Sequence, residues 1–296
     1  MTVTVNSDDS VLTMVGDDVL VAASTGRALL MGMADPRVAE LMDSESRYTA
    51  DAYGRLVRAA QALYVLGFGT PSEVERLSGW LHSTHANYTH NGYAANDTEL
   101  FAWTLDTLVD TVVVAYDAFV RPLTMAELDQ FWAAAKPRYA TLGIPSSRVP
   151  DTWGEFRTHI DTRVAELTVV DAARTHQESC LVVPNPGVWR PAAWLWRTSA
   201  ISLLPDRLRR AYQCDLDARD RRRFASVCRW SQRAHRLAPN AGIWRLGRRV
   251  FGADDLLFDD IQSEPDTPMT ATDLTRRAWR QLRTPEKTSA PHRQCT

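Results

Sequence analysis

The stretch at residues 51–88, DAYGRLVRAAQALYVLGFGTPSEVERLSGWLHSTHANY, carries the clearest fold signal in the chain. Up to residue 66 its apolar residues recur every three or four positions, which is the period of a helix with one buried face. Gly67-Phe68-Gly69 ends that helix. Thr70-Pro71-Ser72-Glu73 then predicts a second helix, with a capping box and a proline in its first position. The stretch therefore predicts an antiparallel helical hairpin that turns at Thr70.

The helical period also dominates the sequence on both sides of this hairpin, and strand patterns are almost absent after Val5. We therefore predict an all-α fold. The predicted helices are at 17–33, 51–68, 70–88, 96–119, 124–142, 151–166, 168–180, 188–203 and 215–238.

The two ends of the chain differ from its middle. We assign 1–16 to a flexible N-terminal segment and 17–250 to one helical domain. We assign 251–296 to a linker and a disordered tail, because paired acidic residues and prolines replace the helical period there.

The composition is that of a globular protein. The chain has 296 residues, of which 45% are hydrophobic and 24% charged, enough to bury a core that encloses a cofactor. Its 4 cysteines form no C-x-x-C pair, which argues against a zinc ribbon, an iron–sulfur site and a disulfide scaffold. The first residues lack a signal-peptide pattern, and no apolar stretch reaches about 20 residues. We expect a cytoplasmic protein with no transmembrane segment.

The charges are unevenly distributed, although the formal net charge is only −2. Residues 1–120 carry about −10, and residues 197–249 carry about +10. The basic region either faces the acidic half within one fold or forms a surface for an acidic partner, a phosphate, a haem propionate or a membrane headgroup. Basic and aromatic residues do not interleave as they do in RNA platforms, so we expect no nucleic-acid partner.

The predicted hairpin places basic and imidazole side chains opposite each other. Arg55 precedes Thr70 by as many residues as His85 follows it, so both lie about 22 Å from the turn. The same arithmetic puts Arg58 level with His82. These residues are either surface groups paired with nearby carboxylates or the two walls of a metal site. In the second reading, a haem supplies iron for a neutral imidazole, and propionates or dioxygen for the guanidiniums.

Other motifs for catalysis are weak. Neither H-E-x-x-H nor the repeated Glu-x-x-His of di-iron bundles occurs, and nucleotide-binding and hydrolase motifs are also absent. Asp106 and Asp110 stand four residues apart and could form an acid–base pair. The simpler expectation is that Asp106 is solvated and Asp110 pairs with an arginine.

Several blocks of residues stand in a characteristic order along the chain. They are Arg27-Ala28-Leu29-Leu30-Met31, Asp35-Pro36-Arg37-Val38-Ala39, Gly54-Arg55-Leu56-Val57-Arg58, Phe68-Gly69-Thr70, His85, Tyr93-Ala94-Ala95-Asn96-Asp97-Thr98-Glu99-Leu100, Trp103, Pro122-Leu123-Thr124, Leu142-Gly143-Ile144-Pro145, Val149-Pro150, Leu203-Leu204-Pro205 and Arg207-Leu208-Arg209. Over roughly 17–250, these blocks together resemble the mpaB-type / rubber-oxygenase (latex clearing protein) catalytic-domain family of b-haem oxygenases.

This resemblance implies a distantly globin-like multi-helix bundle that encloses one haem b. It implies that His85 is the proximal iron ligand, and that Arg55 and Arg58 bind the cofactor and act in catalysis. His82, one turn from His85, is the alternative ligand. The implied activity is a haem-dependent oxidoreductase, an oxygenase or peroxygenase. It would use an apolar small-molecule substrate, dioxygen or peroxide, and an electron donor.

The sequence departs from the family pattern at three places. Ala59 replaces the family threonine after the second arginine, Asp35 replaces a histidine before the proline, and His90 replaces a glycine after the ligand. Two alternatives to an oxygenase therefore stay open. One is a non-catalytic haem-binding protein, a carrier or a sensor. The other is a metal-free helical interaction protein whose basic 197–249 region binds a partner.

Overall fold

A computed structural model describes residues 11–16, 18–44, 52–181, 187 and 190–238, and for 52–57 it describes the backbone alone. The described residues are overwhelmingly helical, which confirms the predicted all-α class. Two short strands, β1 (Thr89–His90) and β2 (Tyr93–Ala94), form an antiparallel pair. The helices are α1 (Val11–Gly16), α2 (Val19–Ala22), α3 (Gly26–Met33), α4 (Pro36–Ser44), α5 (Ala52–Phe68), α6 (Pro71–His85), α7 (Thr98–Phe119), α8 (Met125–Ala135), α9 (Pro137–Thr141), α10 (Trp153–Glu166), α11 (Asp171–Leu181), α12 (Arg190–Ser202), α13 (Asp206–Tyr212) and α14 (Ala218–Leu237).

Helix α7 forms the centre of the fold. It begins where Asp97 accepts a hydrogen bond from the Glu99 backbone N–H at 2.8 Å, and it continues to Phe119 with most of its residues buried. Leu105 and Leu108 are completely buried. Helices α1, α2, α3, α5, α10 and α14 all pack against it, so burial of α7 organises the whole bundle.

Helix α3 is held in this core by two aromatic side chains that donate to its backbone carbonyls. Trp103 Nε1 donates to Met31 O at 3.1 Å, and the Tyr212 hydroxyl donates to Leu30 O at 2.8 Å. Each aromatic group therefore buries a large apolar ring while its polar atom finds a partner.

The predicted hairpin is present as helices α5 and α6. The backbone N–H of Thr70 donates to the Glu73 carboxylate at 2.6 Å, and the Glu73 N–H donates to the Thr70 hydroxyl at 3.3 Å. These two bonds form the predicted capping box. Gly69 is required at the turn, because a Cβ there would lie 2.6 Å from Val65 O.

The structure divides two of the predicted helices and adds three that were missed. The helix predicted at 17–33 is broken between α2 and α3, where Ser24 and Thr25 donate their hydroxyls to preceding carbonyls. The helix predicted at 124–142 is broken before Pro137, which has no N–H to continue the α8 ladder. Helices α1, α4 and α13 were not predicted.

The described core begins earlier than the predicted domain. Residues 11–16 form α1, and Val15 is fully buried in the core, although the sequence placed 1–16 in a flexible segment. Residues 1–10 and the predicted linker and tail at 251–296 lie outside the described residues. Within the described part of the chain, none of the helices has the length and hydropathy needed to cross a bilayer.

Candidate active site

The candidate site lies at the end of α6, where two histidines share one face. The His82 ring lies 4.9 Å from the Phe101 ring, and the His85 ring lies 5.8 Å from it at an interplanar angle of 17°. Phe101 is a buried residue in the first turns of α7. Both imidazoles therefore turn from α6 towards α7, as expected for positions three residues apart on a helix.

The orientation of His82 is set by the helix itself. Its Nδ1 lies 2.8 Å from Ser78 O, and because a carbonyl only accepts, Nδ1 must carry the proton. The lone pair of the neutral ring is then on Nε2, the atom that a metal-binding histidine of this tautomer would offer.

The end of α6 is also tied to its neighbours. The Ser78 hydroxyl donates to Thr141 O at 2.8 Å, and Asn96 Nδ2 donates to His82 O at 2.9 Å. These bonds connect α6 to α9 and to the turn before α7. The histidine-bearing turn is thus held on a rigid part of the scaffold.

The guanidinium wall predicted from the sequence belongs to α5, which packs against α6. Arg58 is half-buried, and its Nη1 atom is fully buried. Arg55 lies one turn earlier in the same helix, but its side chain lies outside the described residues. The hairpin therefore brings the helix of Arg58 beside that of His82 and His85.

Three polar atoms near this hairpin are buried with no hydrogen-bond partner among the described residues. They are Gln61 Oε1, Asn96 Oδ1 and Arg138 Nε. Gln61 lies one turn beyond Arg58 on α5, and sequence reasoning missed it because a single glutamine in an apolar helix carries no signal. Such groups are costly unless a ligand or water pairs with them.

Arg138 is a second residue that sequence reasoning missed. Its guanidinium donates to Gly69 O at 3.0 Å and to Ala134 O at 3.1 Å, at the carboxyl ends of α5 and α8. Burial lowers the pKa of Arg138 to about 10, because desolvation disfavours its charge. The carbonyl dipoles at the two helix ends partly offset that cost.

A separate buried cluster surrounds Asp110 on α7. Arg27 donates through Nη2 to Asp110 at 2.7 Å, through Nη1 to Thr111 at 2.8 Å and through Nε to Leu203 O at 2.7 Å. Arg157 also pairs with Asp110. The expectation that Asp110 pairs with an arginine is confirmed, and the pairing is structural because Arg27 and Asp110 are 3% and 1% exposed.

The expectation that Asp106 is solvated is wrong. Its carboxylate is buried, accepting from the Tyr139 hydroxyl at 2.6 Å and from His159 Nε2 at 3.0 Å. The hydrogen bond to Asp106 raises the pKa of His159. Burial, followed by the charge and hydrogen bond of Asp106, raises the pKa of Tyr139.

Asp35 is another buried carboxylate. Arg37 Nη2 donates to Asp35 at 2.9 Å and Arg163 Nη2 donates to it at 2.8 Å. Arg37 continues to Glu99 at 2.9 Å, which forms a network that ties α4, α7 and α10 together. Aspartate at this family histidine position therefore acts as an anchor between helices.

A family model described as ER-bound oxygenase mpaB/B'/Rubber oxygenase, catalytic domain, matches residues 12–233. The chain belongs to this oxygenase family. No curated protein and no solved structure matches the chain.

Family membership makes the chain an enzyme domain of the oxidoreductase kind. Within the family blocks, Arg27, Asp35 and Trp103 are used to hold helices together.

Proposed function

We propose that this oxygenase depends on haem b and oxidises an apolar small molecule, with dioxygen or peroxide as oxidant and an electron donor where the oxidant requires one. The family match supports the oxygenase reaction. The observation that supports haem is the pair of imidazoles that turn from α6 towards Phe101, beside the arginine-bearing helix α5.

The residues of the site fit a haem by the chemistry of their side chains. Among the described residues, no group of three or more His, Cys, Asp or Glu side chains could hold a metal. A haem does not need such a group, because the porphyrin supplies the equatorial ligands and the protein adds only axial ones. Phe101 offers an apolar ring to the macrocycle, and a guanidinium suits a propionate.

We propose that Nε2 of His85 would hold the haem iron, because His85 occupies the ligand position in the family pattern. His82 is the rival, since Ser78 O already fixes its tautomer with the Nε2 lone pair available. When bound, haem iron would activate dioxygen or peroxide for oxidation of the substrate. The group that accepts the other ring proton of this histidine would set the basicity of the imidazole.

Arg55 and Arg58 are the proposed binding groups for the oxidant. Negative charge develops on the oxidant as it accepts electrons, and a fixed guanidinium stabilises that charge. A one-turn separation spans about 5.4 Å, so one arginine is expected to bind the oxidant and the other a propionate. Phe101 and its apolar neighbours exclude water from this side of the site.

The test compares Arg58→Leu and Arg55→Leu with Arg121→Leu, an exposed arginine paired with Glu127. Loss of one charge-assisted hydrogen bond costs roughly 1.5–3 kcal/mol, so the oxidative step should slow by about tenfold to 100-fold. Stopped-flow absorbance of the haem-loaded protein, mixed with dioxygen or peroxide, measures that step.

Haem content, measured as the pyridine haemochrome, is the control for all three variants. Unchanged kinetics in both hairpin variants, with haem still bound, would contradict the proposed arginine role. Ala59 at the family threonine position would then favour a haem carrier or sensor over an oxygenase.

A further inference from the structure

Helix α14 has an inner face that belongs to the bundle core. Phe224, Ser231 and His235 are buried, and His235 Nε2 bonds to Asp18 at 2.7 Å. The helix packs on α7 and α12. These contacts fix which side of α14 is turned outward.

The outer face of α14 is basic, with two large apolar side chains among its arginines. At 100° per residue, one face about 120° wide collects these positions. Trp230 is 71% exposed and Leu237 is 87% exposed. The exposed arginines of this face are Arg219, Arg222, Arg223, Arg229 and Arg233. We call this set of arginines, with Trp230 and Leu237, the α14 outer face.

The α14 outer face contains no carboxylate. Within the described helix, the acidic residue is Asp220, which lies to one side and accepts from Trp194 Nε1 at 3.0 Å. Only Arg223 approaches it, at 4.0 Å. The stripe from Arg219 to Leu237 is about 27 Å long, so it presents a strong positive potential over its length.

We propose that the α14 outer face docks the protein on an anionic phospholipid surface. The N–H groups of a planar guanidinium can donate two parallel hydrogen bonds to the oxygens of a phosphodiester. Trp230 suits the headgroup level of a leaflet, where the N–H of an indole can bond to water while its ring contacts apolar lipid. Leu237 reaches the acyl boundary, as the apolar residues of an interfacial helix do.

A fluid leaflet fits this face better than a folded acidic protein does. The apolar side chains project from a convex helix, whereas a protein partner would need a preformed pocket for each, with carboxylates fixed around it. Mobile lipid phosphates instead collect around arginines spread over the whole stripe.

The basic and apolar composition continues in the sequence after α14. Residues 244–251, WRLGRRVF, add three arginines and four large apolar residues; they lie outside the described residues. The docking surface goes beyond the proposed function, because it depends on neither haem nor an oxidant. Its failure would leave the α5–α6 assignments unchanged.

The experiment is co-sedimentation of the full chain with vesicles of phosphatidylcholine alone or with about 30% phosphatidylglycerol. Each basic residue near an anionic surface changes the partition about fivefold. The variant Arg222→Gln/Arg229→Gln/Arg233→Gln should therefore lose about 100-fold in partition to the anionic vesicles. High salt should produce a similar loss, since the attraction is screened.

Two variants control this result. The charge-matched control is Arg121→Gln/Arg148→Gln/Arg174→Gln, which removes three exposed arginines elsewhere and should partition like the unchanged protein. Trp230→Ala/Leu237→Ala keeps every charge and should lose at least tenfold. Far-UV circular dichroism checks that each variant keeps its helices.

Three outcomes would overturn the proposal. The first is equal partition to neutral and anionic vesicles, or equal loss in the two arginine variants. The second is binding to soluble polyglutamate with no binding to vesicles, which would identify the partner of the α14 outer face as an acidic protein. The third is vesicle binding that appears only after Asp254→Asn/Asp255→Asn/Asp259→Asn/Asp260→Asn. In that case the acidic stretch of this chain, and not a lipid surface, would be the occupant of the α14 outer face.

Discussion

The Arg27→Met substitution tests whether the family arginine in α3 is a structural anchor. The guanidinium of Arg27 is 3% exposed and makes three hydrogen bonds, to Asp110, Thr111 and Leu203 O. Methionine keeps an unbranched apolar stem, although a shorter one, and removes all three donors. The carboxylate of Asp110 then keeps Arg157 as its remaining partner.

The expected cost follows from burial. Removing one partner of a buried ion pair costs about 3–5 kcal/mol. Because Arg157 still pairs with the Asp110 carboxylate, we expect a cost at the low end of this range, about 3 kcal/mol. With a urea dependence of about 3 kcal/mol/M for a domain of this size, the unfolding midpoint should fall by about 1 M.

Arg121→Met is the matched control. The Arg121–Glu127 distance is 2.6 Å, close to the 2.7 Å of Arg27–Asp110, but its side chains are 45% and 24% exposed. An exposed pair contributes at most about 1 kcal/mol. Urea unfolding followed by far-UV circular dichroism measures both variants. Equal midpoint shifts in the two would refute the argument, because the expected difference in cost rests on burial.

Two further predictions concern stability. The folded pKa of His159 is raised by its hydrogen bond to Asp106, so this bond stabilises the fold below the ordinary histidine pKa and is lost as pH rises through the raised value. His159→Gln should therefore lower the urea midpoint at pH 5.5 more than at pH 8.5, and an equal effect at both would contradict it. A Cβ at Gly16 would lie 2.0 Å from the Phe68 ring, so Gly16→Ala should cost about 1–3 kcal/mol. Phe68→Leu should restore part of that loss in thermal unfolding, unless the ring is not the obstacle.

The sequence predicted the features that are set by neighbouring residues. The α5–α6 hairpin follows from Gly69 and from the Thr70–Glu73 capping box, both of which act within one turn of the chain. The end of α7 at Phe119 agrees with the prediction for the same reason, since an apolar helical period stops there. Local chemistry thus accounts for these helix ends.

Features that depend on distant residues were not predictable in this way. Asp106 was expected to be solvated, but its partners Tyr139 and His159 lie 33 and 53 residues away in the chain. A single sequence does not show which helices will meet. The same holds for Arg138, whose carbonyl partners come from the ends of two different helices.

The central claim is that His85 holds haem iron on the α6 face that packs towards Phe101. The most direct measurement is haem content and Soret absorbance of the unchanged chain, His85→Ala and His82→Ala, all produced with an ample haem supply. We predict one haem per chain in the unchanged protein, loss of haem in His85→Ala, and most of the haem kept in His82→Ala. A chain without haem, or a Soret band lost only in His82→Ala, would contradict the assignment.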